Sequence, residues 1–135
     1  MPMSGVPTAA TVTLTVLLAV VIVFQVALAA GAPWGAASYG GEHRGVLPGR
    51  LRIASAVAAV VWLGFAPFLL TRAGVDLPVD VPMAAAAVVT WVFVAVMVIS
   101  VVLNAITPSV LERAIWLPIV LLLAGAAIVI ALAPQ

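Results

Sequence analysis

The chain has no cysteine and no lysine, and only one histidine, one tyrosine and four acidic residues. Without cysteine there are no disulfides, thiolate nucleophiles, iron–sulfur clusters or thiolate metal sites. With His43 alone, a bis-histidine haem or a His-rich zinc site cannot be built within one copy, so neither a metal nor a cofactor is expected. A net charge of +1 with no basic run also leaves no electrostatic footprint for nucleic acid. Nothing resembles G-x-S-x-G, a Walker loop or H-E-x-x-H.

What fills the sequence instead is apolar. Of 135 residues, 67% are hydrophobic and 7% charged, with a mean hydropathy of +1.40. A soluble domain sits near 45–50% apolar, so this chain needs lipid as its solvent. Apolar runs cover residues 9–30, 51–70, 84–103 and 115–132, each close to the roughly 18–20 residues that carry a helix across the hydrocarbon. Val, Ile and Thr in the first and third runs would favour strands in water, but a lone strand in lipid leaves its backbone unpaired. Period-two alternation is missing, which argues against a barrel. The expected fold is all-α, an integral membrane four-helix bundle forming one transmembrane domain over residues 1–135, with a long glycine-rich loop between helices 1 and 2. Ala27-Leu28-Ala29 resembles a signal-peptidase site, but the stretch before the first run has no Lys or Arg and the run is longer than an h-region. It is read as a retained span.

The arginines set the expected orientation. Arg44, Arg50 and Arg52 lie in or beside the first connection and Arg113 in the third, whereas the second, residues 71–83, has only Arg72. The positive-inside rule then makes the loops at 31–50 and 104–114 cytoplasmic and puts both termini outside. Arg50, Arg52 and Arg113 are expected to reach lipid headgroups. Helix-start chemistry marks the junctions: Thr107-Pro108-Ser109 with Glu112 before the fourth helix, Asp80 with Pro82 before the third, and Pro48 before the second.

The connection at residues 31–49 is long for a helix–helix loop and gathers glycine, proline, Trp34, Tyr39, Glu42, His43 and Arg44. The two aromatics argue for order, with part of the loop on or in the bundle mouth. Gln25, Ser55, Ser100 and Asn104 fall at the same end of their helices. They either hydrogen-bond between helices or form a small polar pocket roofed by the loop, with Glu42, His43 and Arg44 at its rim. Trp62 and Trp91 lie well inside their runs, where an indole must either pack in the bundle with its N–H paired or line a cavity, and packing is the expectation. Gly64, Gly125 and the alanines around Ala56 and Ala126 would allow close helix approach, within the bundle or in a dimer.

No Asp, Glu, Lys or His falls within an apolar run, which argues against ion-coupled transport. Small four-helix drug exporters match the chain in size but carry a mid-membrane glutamate in their first helix, absent here. The glycine-rich, arginine-containing first helix of small fluoride channels is absent too. Ala30-Gly31-Ala32-Pro33-Trp34-Gly35, Gly40-Gly41, Gly45-Val46-Leu47-Pro48 and residues 50–55, with Leu103-Asn104-Ala105-Ile106-Thr107-Pro108-Ser109, Glu112-Arg113 and Trp116, resemble a group of small bacterial, often actinobacterial, membrane proteins of uncharacterised activity. The resemblance implies four helices and supplies no chemistry. The leading expectation is a non-catalytic bundle that binds a small ligand, a lipid headgroup or a partner subunit, with membrane lipids around it and a homo-oligomer or a partner membrane subunit as the assembly open to it. A membrane enzyme using Glu42 and His43 as acid and base, or a channel for a neutral solute, stays open beside it.

Overall fold

In lipid, an apolar run satisfies its backbone only by closing every N–H onto its own carbonyls, so each run becomes a helix. The computed structural model describes residues 5–135. It contains four long helices: α1 (Thr8–Ala30), α2 (Gly49–Arg72), α3 (Met83–Ile106) and α4 (Val110–Leu132). All four are long and apolar enough to cross a membrane. Only 17% of the most apolar stretch of α1 and 39% of that of α4 is buried, so most of the apolar surface faces outward, where a bilayer would cover it. The chain runs up, down, up, down, and each helix packs on its two neighbours in a ring.

The interior is divided into two unlike halves. Toward the termini it is a dry core in which Leu14, Leu69, Phe93, Leu123 and Ile130 are fully buried. Phe93 stands edge-on to Phe65 and Trp62, with ring centroids 5.2 and 6.1 Å away. Such pairs add about 0.5–1.5 kcal/mol beyond burial. Toward the connection at residues 31–48 the interior opens into a cavity.

Three of the arginines close helix C-termini, whose last carbonyls lack partners within the helix. Arg52 Nε donates to Ala29 O at 3.1 Å, Arg113 to Thr107 O at 2.8 Å, and Arg72 to both Ala131 O and Ala133 O at 2.8 and 3.0 Å. Arg72 therefore belongs to the last turn of α2 rather than to a connection, and it is buried. Arg52 and Arg113, expected to reach headgroups, each commit at least one nitrogen to a helix end. Arg44 and Arg50 are exposed at the same end of the bundle.

Several local expectations need correction. Ser109 caps α4, accepting the Glu112 N–H at 3.1 Å, but Pro108 precedes the cap instead of occupying the first turn. Pro82, not Asp80, stands at the start of α3, and no side chain caps it. Trp91 is 47% exposed on the outer face of α3, one residue past the buried stripe of Ala86, Thr90, Phe93 and Met97. A Cβ added to Gly64 or Gly125 would meet nothing within 4 Å, so these glycines do not draw helices together within the chain. Both lie on the outer surface.

Candidate functional site

The connection after α1 is folded onto the mouth of the bundle as a lid. Gly31, at φ 101°, ends α1 in the left-handed conformation, with the N–H groups of Gly31 and Ala32 turned back to Leu28 O and Ala27 O. Two short 3₁₀ turns follow, Gly35–Ala37 and Tyr39–Gly41. Gly35 N–H donates to Gly45 O at 2.8 Å, pinching the lid into a closed loop. The approach is so close that a Cβ on Gly35 would overlap the His43 carbonyl oxygen.

The first turn of α4 and the start of α2 anchor the lid. Glu112 Oε2 accepts the Gly40 N–H at 3.0 Å and the Thr107 hydroxyl at 2.6 Å. Ser109 Oγ donates to Ala36 O at 3.0 Å, and the Trp116 indole N–H to Ala37 O at 2.8 Å. In a standard capping box the carboxylate at the position of Glu112 would return to the Ser109 N–H. Here that N–H is 3.3 Å from Thr107 Oγ1, and the carboxylate is released to hold the lid. On the other side Tyr39 OH lies 3.1 Å from the hydroxyl of the fully buried Ser55 and 3.4 Å from Leu51 O. Tyr39 takes φ 46°, which costs a non-glycine residue on the order of 1 kcal/mol. The contacts of its hydroxyl group hold the side chain against α2.

Beneath the lid lies a cavity of about 340 Å³ between all four helices. Gln25, Ser38, Tyr39, Ser100, Asn104 and Glu112 form its polar upper wall, and Leu18, Trp62, Met97 and Leu123 are among the apolar residues below. The spacing is that of helix faces: Leu18, Val21 and Gln25 on α1, Met97, Ser100 and Asn104 on α3, and Glu112, Trp116, Val120 and Leu123 on α4. Gln25 Oε1 is buried with no hydrogen-bond partner among the described residues. Asn104 Nδ2 donates to Ser100 O at 2.8 Å. Glu112 is the one formally charged residue in the lining.

Of the residues singled out by sequence, Gln25, Tyr39, Ser100 and Asn104 line the cavity, and Ser55 supports it from behind through Tyr39. Trp34 lies outside, stacked on Phe24 at 6.1 Å and lining an apolar groove between α1 and α4. Glu42, His43 and Arg44 are not in the lining; Glu42 and Arg44 are exposed, and His43 is half-buried with Nδ1 unpaired among the described residues. Sequence reasoning missed Ser38, Phe24 and Trp116 as lining residues and gave Glu112 only a role at the helix start. The signal was present in α4, where the carboxylate and the indole stand four residues apart, one above the other on one face. Among the described residues, no group of three His, Asp or Glu converges to hold a metal ion.

Comparison with protein-family models, with curated proteins and with solved structures finds no match for this chain.

Proposed function

We propose that this multi-pass membrane protein is a non-catalytic binding protein whose ligand sits in the cavity under the lid, with the lid at the cytoplasmic face and both termini outside. The observation that carries the reading is the cavity itself. At about 340 Å³ it falls at the lower end of the 300–1,000 Å³ range of small-molecule sites, and it joins an apolar floor to a few convergent polar groups. The orientation rests on the arginines: Arg44 and Arg50 lie exposed at the lid end, whereas Arg72 at the opposite end is buried against the C-terminus of α4.

Binding is favoured over catalysis because Glu42 and His43, the acid–base pair that the sequence offers, stand outside the lining. It is favoured over a through-channel because the half of the bundle toward the termini is filled by Leu69, Phe93 and Ile130. The test is native mass spectrometry of the protein extracted with its own lipids, alongside Ala58→Phe and Ser100→Phe, which fill the cavity. A small molecule retained by the wild-type chain and lost from both variants is the expected result. The same retained molecules in all three proteins would overturn the reading.

A further inference from the structure

On the outer surface between α1 and α4 runs a second concavity, about 600 Å³, lined by Val16, Val20, Val23 and Ile119 together with Phe24, Trp34 and Trp116, and wholly apolar. It lies at the same depth as the inner cavity. Phe24 and Trp116 line both spaces. Their rings meet with centroids 4.5 Å apart at 56°, so this aromatic pair stands between the groove and the cavity. The two leaves of the wall are not held alike: Trp116 is fixed to the lid through its bond to Ala37 O, whereas Phe24 is held only by packing and by the stacked Trp34 ring. Phe24 is the less constrained leaf.

The charge in the lining of the inner cavity is of one sign. Its lining contains the Glu112 carboxylate and no cationic side chain. Only Oε2 of that carboxylate is used by the protein among the described residues, and Asn104 and Gln25, whose Oε1 is unpaired, line the same cavity. A half-buried carboxylate with a spare acceptor favours a head that donates hydrogen bonds and disfavours a phosphate or carboxylate. Along α4 the lining runs from Glu112 to Leu123, about 16 Å at 1.5 Å per residue, room for a head and part of one chain but not for a two-chain lipid.

Resting on the ligand-cavity reading above, we infer that the ligand is a single-chain amphiphile with an uncharged or cationic, hydrogen-bond-donating head, an alcohol or an amine. It enters sideways from the bilayer through the α1–α4 groove past Phe24. The head lodges against Glu112, Asn104 and Gln25, and the chain lies on Leu18, Trp62, Met97 and Leu123.

The experiment uses the full chain in phosphatidylcholine nanodiscs with three photoactivatable probes of one chain length, bearing an amine, an alcohol or a carboxylate head. At about pH 9 the amine stays protonated and the carboxylate ionised. Amine and alcohol probes are expected to label Leu18, Trp62, Met97 or Leu123 saturably. The carboxylate probe is expected to label those positions at least ~10-fold less while still labelling Val16, Val20 or Ile119 in the groove, about the discrimination that one charge-assisted contact supplies. Glu112→Gln brings the amine-to-carboxylate ratio toward one. Phe24→Ala speeds cavity labelling several-fold relative to groove labelling, and Phe24→Leu, which keeps apolar volume, gives a smaller change in the same direction. Equal cavity labelling by all three heads in the wild-type protein would overturn the head class and leave the cavity reading standing. Cavity labelling indifferent to both Phe24 variants would overturn the route. No saturable cavity labelling by any probe would overturn the cavity reading as well.

Discussion

Gly40 and Glu112 stand 72 residues apart in the chain, yet the Gly40 N–H donates to Glu112 Oε2 at 3.0 Å. That one bond ties the lid to the first turn of the last helix. With the Ser109–Ala36 and Trp116–Ala37 bonds it makes α4 the post on which the lid hangs.

Removing the carboxylate should therefore loosen the lid before it loosens the bundle. A hydrogen bond to a charged group contributes about 1.5–3 kcal/mol. Glu112→Ala should accelerate amide exchange at residues 35–41 by roughly 10- to 100-fold. Glu112→Gln, which keeps an acceptor, should give a smaller change. Hydrogen exchange of the protein in nanodiscs reads both. An unchanged rate at Gly40 in Glu112→Ala would mean that the latch is not what holds the lid.

Two glycines of the same segment should respond very differently. Gly35→Ala would drive a Cβ into the His43 carbonyl, whereas Gly49→Ala, at the first position of α2, meets nothing within 4 Å. Gly35→Ala should abolish protection across the lid. Gly49→Ala should leave it intact and stabilise the start of α2 by up to ~1 kcal/mol. Equal behaviour of the two variants would contradict the closed loop between Gly35 and Gly45.

Trp116→Phe keeps the aromatic wall and removes the bond to Ala37 O. The expected loss is about 0.5–1.5 kcal/mol of stability, most of it at the lid. Thermal unfolding in detergent, compared with exchange at residues 35–41, separates a local from a global effect. A fall beyond ~3 kcal/mol would instead give Trp116 a core-packing role.

The opposite end of the bundle offers a control. Arg72→Met leaves the carbonyls of Ala131 and Ala133 without their donor in a buried setting, a loss of about 1–3 kcal/mol. Exchange should rise at the end of α4 while the lid remains protected. Faster exchange at the lid in this variant would show that the two halves are coupled, contrary to the division into a dry core and a cavity.

Because the chain has no cysteine, orientation can be read directly from single substitutions. A thiol reagent that does not cross membranes should reach Asp76→Cys in intact cells and Glu42→Cys only after permeabilisation. Both positions are exposed. The reverse pattern would invert the bundle.

The apolar runs and the few polar residues between them suffice to define a four-helix membrane protein whose distinctive residues lie at one end. The reason is physical: lipid forces each long apolar run into a helix, and charges cannot rest within it, so position along the chain becomes depth in the membrane. The convergence of Gln25, Ser100 and Asn104 could be read in the same way, since depth and helical period are both one-dimensional.

Which polar groups the protein consumes and which it leaves to a ligand is decided only by the tertiary structure. Glu112 looked like an ordinary first-turn carboxylate, and only the return of residues 31–48 over the bundle made it a latch and a wall of the cavity. Glu42, His43 and Arg44, the densest cluster of chemistry in the sequence, fell outside the lining because the Gly35–Gly45 bond turns the inner edge of the lid over to Ala37, Ser38 and Tyr39. Trp91 faces outward for a similar reason, since an evenly apolar helix such as α3 carries little in its own pattern to say which face meets its neighbours. Rotation about a helix axis and the path of a loop depend on contacts between distant residues, and those exist only once the chain has folded.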